Sequence, residues 1–439
     1  MSTSYKTTVL LAMIALFAFA CQCAFNMTLS HLLSNGMYGN LSIGLQTLSF
    51  FSLVILLGTS AADENFFSKY LQENNYSSAY DYARWSFREV FINSKWYMIG
   101  LLLLAAVMII LDQSNVKDLK SYHITFYLLF TAPLVALTSL IVSALQCNRN
   151  LITYSLSNQC AWYIVYTLVI GSVYYSYHPA MDNHILILIT IRAMLILIVI
   201  DLIACFIKIP RKFFVSVFDS KKSPIISSTQ WRTTSVQLFI QQVLCSLIGI
   251  SGIYAVKFFT TGYLAIDQYS ALISIDNILW ILVISIFSGL APNVSSYVGN
   301  KNTLGLQRIV NRCNFTLFLT TTVIMFVMVY FGRDILGLFG SRYVTQDSYV
   351  ALNILLAGCY IENFGYAPFV LLAFSNNQKL TIYIFLGQLV MLLITAIILT
   401  IYLGIIGTAL ATTLSAITAT IVFNVIARKK THIKSLTFA

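Results

Sequence analysis

Twelve apolar runs, each near the length that crosses a bilayer, take up most of this sequence. A spanning helix needs about 20 mostly apolar residues, because it rises about 1.5 Å per residue across a hydrocarbon core of about 30 Å. In the first half the runs fall at about residues 7–33, 40–61, 95–111, 122–146, 153–177 and 185–207. In the second half they fall at about 234–258, 268–297, 311–331, 348–374, 380–402 and 407–427. Several exceed the minimum length, so tilted helices or exposed ends are expected. Only 9% of the residues are charged, against about 25% in soluble domains. The expected fold is an all-α polytopic membrane protein of about twelve transmembrane helices.

The longest polar interruption between the halves runs from Lys208 to Arg232. It carries Lys208, Arg211, Lys212, Lys221, Lys222 and Arg232 against one acid, Asp219, with "KFFVSVF" threaded through it. The expected organisation is a six-helix bundle at 1–207, a basic linker at 208–233, a second six-helix bundle at 234–427 and a basic tail at 428–439. The net charge of +11 does not indicate a nucleic-acid partner. The bases sit in short loops between apolar runs, which is the pattern that orients a protein in a membrane. With the N-terminus in the cytoplasm, twenty bases fall on the inner side and four on the outer: Lys117, Lys120, Arg333 and Arg342. Arg192 and Lys257 are left at membrane depth. The bias puts both termini inside. The inner stretch at about 62–95 contains "YSSAYDYARWSFREVF" and reads as a helix lying in the membrane interface.

The eight cysteines are scattered and show no metal-ligand spacing. They read as small apolar packing residues. Lys6 with the following apolar run is read as a retained first helix, because apolar character continues past Cys21 to about Leu33.

The halves echo each other. "NRNLITYSLSNQ" follows the fourth run and "NQKLTIYIFLGQ" follows the tenth. Leu151, Tyr154 and Gln159 therefore match Leu380, Tyr383 and Gln388 in spacing. Each copy is preceded by an Ala-Pro pair, Ala132-Pro133 and Ala367-Pro368. A parallel internal repeat of this kind is a transporter signature, with the substrate handled between the halves.

Ionisable groups at membrane depth are expensive, and each is a functional candidate. They are Arg192 and Asp201 in the sixth run, Lys257 at the end of the seventh, Asp276 in the eighth and Glu362 in the tenth. Arg192 and Asp201 are about half a turn apart around a helix of 3.6 residues per turn, so they do not pair with each other. Glu362, Asp276 and Asp201 are candidates for coupling to a proton or sodium ion. Lys257 is a snorkelling base and a candidate substrate contact. Gln22 and Asn26 share a helix face, as do Gln237 and Gln241 in the corresponding run of the second half. Such amides serve as interhelical glue, or in a wet cavity as binders of sugar hydroxyls. There is no GxxxxGK[ST], HExxH, GxSxG or Gly-rich dinucleotide turn. The chain is therefore expected to hydrolyse no ATP, to carry no metal or organic cofactor, and to work on a gradient.

"SNGMYGNLSIGLQTLSFFSLVILLGTSAADENFFSKYLQENN" resembles the opening of polysaccharide exporters of the multidrug/oligosaccharidyl-lipid/polysaccharide (MOP) superfamily. "FGRDILGLFGSRYV" and the turn from Gly404 to Thr412 are similar to later segments of that group. The resemblance covers nearly the whole chain and implies an O-antigen flippase of the Wzx type in a bacterial cytoplasmic membrane. Its substrate would be a polyprenyl-pyrophosphate-linked oligosaccharide, its surroundings membrane lipid, and its partner the polysaccharide polymerase machinery. On that reading Arg192 is the pyrophosphate contact. The first helix departs from the related lipid II flippases, which carry arginines where this chain has Gln22 and Asn26. A cation-coupled multidrug exporter of the same superfamily is the alternative. A membrane glycosyltransferase or polymerase fits less well, since the outer loops leave no room for a catalytic domain.

Overall fold

The computed structural model of the chain describes residues 2–113, 122–148, 150–177, 183–209, 228–260, 262–287, 303–374 and 377–433. Regular structure among them is helical throughout. The middle of the basic linker, with Arg211, Lys212, Lys221 and Lys222, lies outside the described residues, as do Lys117, Lys120, Arg149, Lys301 and Lys434.

The helices are α1 (Ser2–Leu32), α2 (Met37–Leu56), α3 (Thr59–Asn65), α4 (Phe67–Gln72), α5 (Tyr76–Gln113), α6 (His123–Leu129), α7 (Ala132–Cys147), α8 (Leu151–Ser155), α9 (Trp162–Tyr177) and α10 (Asn183–Lys208). After the linker come α11 (Ser228–Phe259), α12 (Tyr263–Phe287), α13 (Thr303–Tyr330), α14 (Gly332–Phe339), α15 (Gln346–Glu362), α16 (Tyr366–Phe374) and α17 (Gln378–Thr431). Among the described residues nine helices are long and apolar enough to cross a membrane, and α6 with α7, bent by 50°, makes a tenth. The bend falls just before Ala132-Pro133, where proline occupies the first turn of α7 and has no N–H to lose. Two further expected runs are hidden in this count. The 54 residues of α17 are interrupted at Gly404, whose φ of 57° and ψ of −133° are not helical. The other run, expected at about 153–177, forms Leu151–Ser155 and Trp162–Tyr177 on either side of a π-helical turn at Leu156–Ala161.

Sequence periodicity misplaced some boundaries. The second run ends at Leu56, not residue 61, because Leu57 and Gly58 take positive φ and turn the chain into α3. The interfacial segment expected before residue 95 is not separate. It continues into the third run as the 38-residue α5. The tenth run is broken by a 3₁₀ turn at Asn363–Gly365.

Contacts divide the chain into two compact units. One comprises Met1–Gly39 with Leu244–Ala439, the other Asn40–Val243. The sequence-based division at 207 and 234 differs in two places. Helix α1 packs along α12 and belongs with the C-terminal helices, and the start of α11 belongs with the N-terminal ones. In the first unit, Val283, Phe287, Val310, Leu317 and Leu371 form a buried cluster across α12, α13 and α16. Helix α15 approaches α17 closely, and Thr413 Oγ1 donates to the Ile354 carbonyl at 2.9 Å. Small residues and hydroxyl bonds of this kind hold helices together where lipid is as apolar as the side chains.

In the second unit, Trp231 from the first turn of α11 packs against Tyr82 and Trp85 of α5, with ring centroids 5.3 and 5.8 Å away. Its indole N–H donates to the Tyr70 hydroxyl at 3.2 Å. Asp63 is buried nearby and accepts from Ser143 of α7. This aromatic cluster fixes the end of the linker to α4 and α5.

Candidate functional site

A cavity of about 400 Å³ opens within the first unit among α11, α12, α15, α16 and α17. Asp276 reaches it from α12 and Glu362 from the last residue of α15. The 3₁₀ turn at Asn363–Gly365 follows Glu362 directly. Such breaks inside a span free backbone groups and cluster at functional positions. Glu362 Oε1 accepts from Gln388 Nε2 at 3.5 Å. Asp276 interacts with the Cys359 thiol, and its Oδ1 is buried with no hydrogen-bond partner among the described residues. Trp280, Tyr366 and Phe423 supply an aromatic wall, and neither Lys nor Arg is among the described residues that line the cavity. Charged carboxylates in apolar surroundings cost several kcal/mol each, a cost that a bound cation or proton offsets. The arrangement is therefore suited to cations.

The other predicted residues lie elsewhere. Gln22 and Asn26 are buried. Asn26 Nδ2 donates to the Gln22 carbonyl at 2.9 Å, and its Oδ1 accepts from the Tyr38 hydroxyl at 3.1 Å. The amide thus ties α1 to the start of α2. Gln237 is half-buried and Gln241 buried, both on the part of α11 that belongs to the second unit. Lys257 is half-buried two residues from the end of α11. Asp201 is buried and accepts from Ser157, which the π-helical turn presents to it. Arg192 is exposed and shares its face of α10 with the exposed Leu188, Leu195, Ile196 and Val199. Arg192 and Asp201 therefore face opposite ways around α10.

Asp276 and Glu362 are the pair that the fold brings together. Sequence reasoning passed over their supporting residues. Gln388 stood out only as part of the internal echo, and Cys359 as a packing residue. Asp267 lies just before the apolar run expected at about 268–297, where an acid is not conspicuous. It is fully buried, and its two oxygens accept the N–H groups of Gly36 and Gly39 at 2.8 and 2.7 Å.

No protein-family model and no curated protein sequence matches the chain. Solved structures do. An inward-facing multidrug resistance MATE family transporter of the MOP superfamily superposes with a TM-score of 0.72 at 14% identity, over 96% of this chain and 98% of that one. The chain shares the fold of that structure. A Pyrococcus furiosus MOP superfamily transporter, described as having a binding pocket of reverse polarity and a different function, gives a TM-score of 0.73 at 13% identity over 97% and 96%. An outward-facing MATE structure gives 0.72 at 14% over 97% and 95%. At these identities the likeness is one of architecture. It agrees with the all-α, two-lobed fold expected from the apolar runs.

Proposed function

We propose that this chain is an ion-coupled exporter, a transporter and not an enzyme, in which Asp276 and Glu362 bind the coupling ion. The observation that carries the reading is the convergence of these two carboxylates on one aromatic-walled cavity with no base among its described lining residues. The MATE-like architecture supports it. The coupling ion is a proton or sodium, and the cargo an organic cation of the kind multidrug exporters carry. The strong inner bias of the bases supports a bacterial cytoplasmic membrane with both termini inside. Export proceeds by alternating access.

The test is ethidium transport by purified protein in liposomes under imposed proton or sodium gradients. Wild-type protein should move the dye only when a gradient is present. Glu362→Gln and Asp276→Asn should each cut gradient-driven transport by at least about fivefold, the low end of a coupling free energy between two sites. Variants as fast as wild type would sink the reading.

A lipid-linked oligosaccharide flippase is the second reading. Arg192 favours it, because this base stands exposed at membrane depth and hydrogen-bonds to none of the described residues. It is available to a phosphate at the protein surface. Arg192→Ala should then abolish surface glycan at an unchanged protein level, with the polymerase machinery as the downstream partner. Unaltered glycan removes this reading.

A further inference from the structure

We propose that Arg308 and Arg312 on α13 form a binding site for the headgroup of an anionic phospholipid. The two stand four residues apart, leave the same side of the helix, and are both exposed. Neither forms an ion pair or side-chain hydrogen bond among the described residues. Phe315 and Leu319 are exposed as well. At about 100° per residue the four side chains fall within about 60° of one another. One stripe of α13 therefore carries two guanidinium forks and then two apolar side chains. A ligand with an acidic head and an apolar tail matches that order. Arginine suits the head, because its planar fork grips a phosphate through paired N–H groups.

The surroundings concentrate positive charge. Neither α13 nor α17 contains an acid. The acids that follow α13, Asp334 and Asp347, lie beyond its far end. Lys379 near the start of α17 and Arg428, Lys429 and Lys430 near its end are exposed bases. The two halves of α17 pack together on either side of Gly404, with Phe385 meeting Phe423 at 5.2 Å between ring centroids. Past these bases the chain reverses at His432, whose φ is 56°. Ile433 is thereby buried in the cluster that holds Leu306 and Val310 of α13. The bases that end α17 are thus held at the end of the unit where α13 starts. That end is expected to face the cytoplasm, where the leaflet is anionic. The 28 residues of α13 extend about 42 Å against a hydrocarbon core of about 30 Å, so its first turns reach headgroup depth. An anionic membrane surface strengthens binding by about fivefold for each such base.

The experiment is a fluorescence anisotropy titration of the full-length protein in a neutral detergent. Tail-labelled phosphatidylglycerol is the probe, and phosphatidylcholine with the same chains and label is the neutral control. It uses no cargo and no gradient, so it is decided independently of the exporter reading. Wild-type protein should bind phosphatidylglycerol at least about tenfold more tightly than phosphatidylcholine, and added salt should shrink the preference. Arg308→Gln combined with Arg312→Gln should weaken phosphatidylglycerol binding by about tenfold or more. The same variant should bind phosphatidylcholine unchanged and keep the wild-type unfolding temperature. Arg333→Gln, beyond the far end of α13, should bind phosphatidylglycerol as wild type does. No preference for phosphatidylglycerol in the wild-type protein would overturn the proposal. So would a double variant that binds like wild type, or an Arg333→Gln protein that loses as much. A poly-glutamate peptide that displaces the lipid at equal concentration would assign the patch to an acidic protein partner and overturn it too.

Discussion

Gly358 shows how a single residue sets the shape of the acidic cavity. A Cβ built on it would collide with Thr413 Oγ1 and lie 3.0 Å from the Thr413 backbone, so α15 and α17 can meet there only without a side chain. The carboxylates depend on this approach, since Glu362 sits one helical turn further along α15 and meets Gln388 of α17. Gly358→Ala should destabilise the protein by about 1–3 kcal/mol, the usual range for overpacking a well-packed site, and lower ethidium transport. Gly249 lines the same cavity with open space around its missing Cβ. Gly249→Ala should be neutral or slightly stabilising, since alanine favours a helix by up to about 1 kcal/mol. Thermal unfolding of both variants in detergent checks the pair, and equal losses would refute the packing account. The carboxylates themselves were legible in the sequence, because an acid inside an apolar run is conspicuous. Their convergence was not. Asp276 and Glu362 are far apart along the chain, and which helix faces meet is decided by packing.

Among the elements, α17 depends on its interruption. A helix of 54 residues is far longer than the hydrocarbon core it would cross, and Gly404 divides it. Thr400 and Thr408, on either side of the break, bond through their hydroxyls at 2.8 Å. The φ and ψ of Gly404 belong to a region essentially closed to other residues, where strain runs at about 1–3 kcal/mol. Gly404→Ala should therefore lower the unfolding temperature and reduce membrane accumulation. Gly387→Ala should do neither, since Gly387 has regular helical geometry and open space within 4 Å of where a Cβ would stand. A Gly404→Ala protein as stable as wild type would argue against a required break. The sequence already marked the site, since the run of apolar residues pauses at the turn from Gly404 to Thr412. The π-helical turn in the run from Leu151 carried no such mark. It depends on Ser157 meeting Asp201 across two helices, which no local pattern records.

The expected orientation of the protein in its membrane rests on charge. Alkaline phosphatase fused after Lys434 should be inactive, and an insertion after Lys117 should be active, because that enzyme works only outside the cytoplasm. Active fusions at both positions would defeat the expected topology. The grouping into units follows from contacts instead. The repeat in the sequence assigns α1 to the first bundle, but Arg342 and Asp267 fasten its C-terminal end and the turn after it to helices of the second half.

Reading the residues in order was enough to establish a helical membrane protein, roughly where its apolar runs fall, how they are expected to be oriented and which charges at membrane depth need explaining. These properties rest on local composition, because each helix satisfies its own backbone and each loop carries its own charge. It took the packed molecule to show that Asp276 and Glu362 share a cavity while Asp201 binds a serine and Arg192 faces outward. Those outcomes depend on how close two helices can come and on which faces then touch. In this chain those limits are set by residues such as Gly358 and Asp267, whose partners lie far away in the sequence.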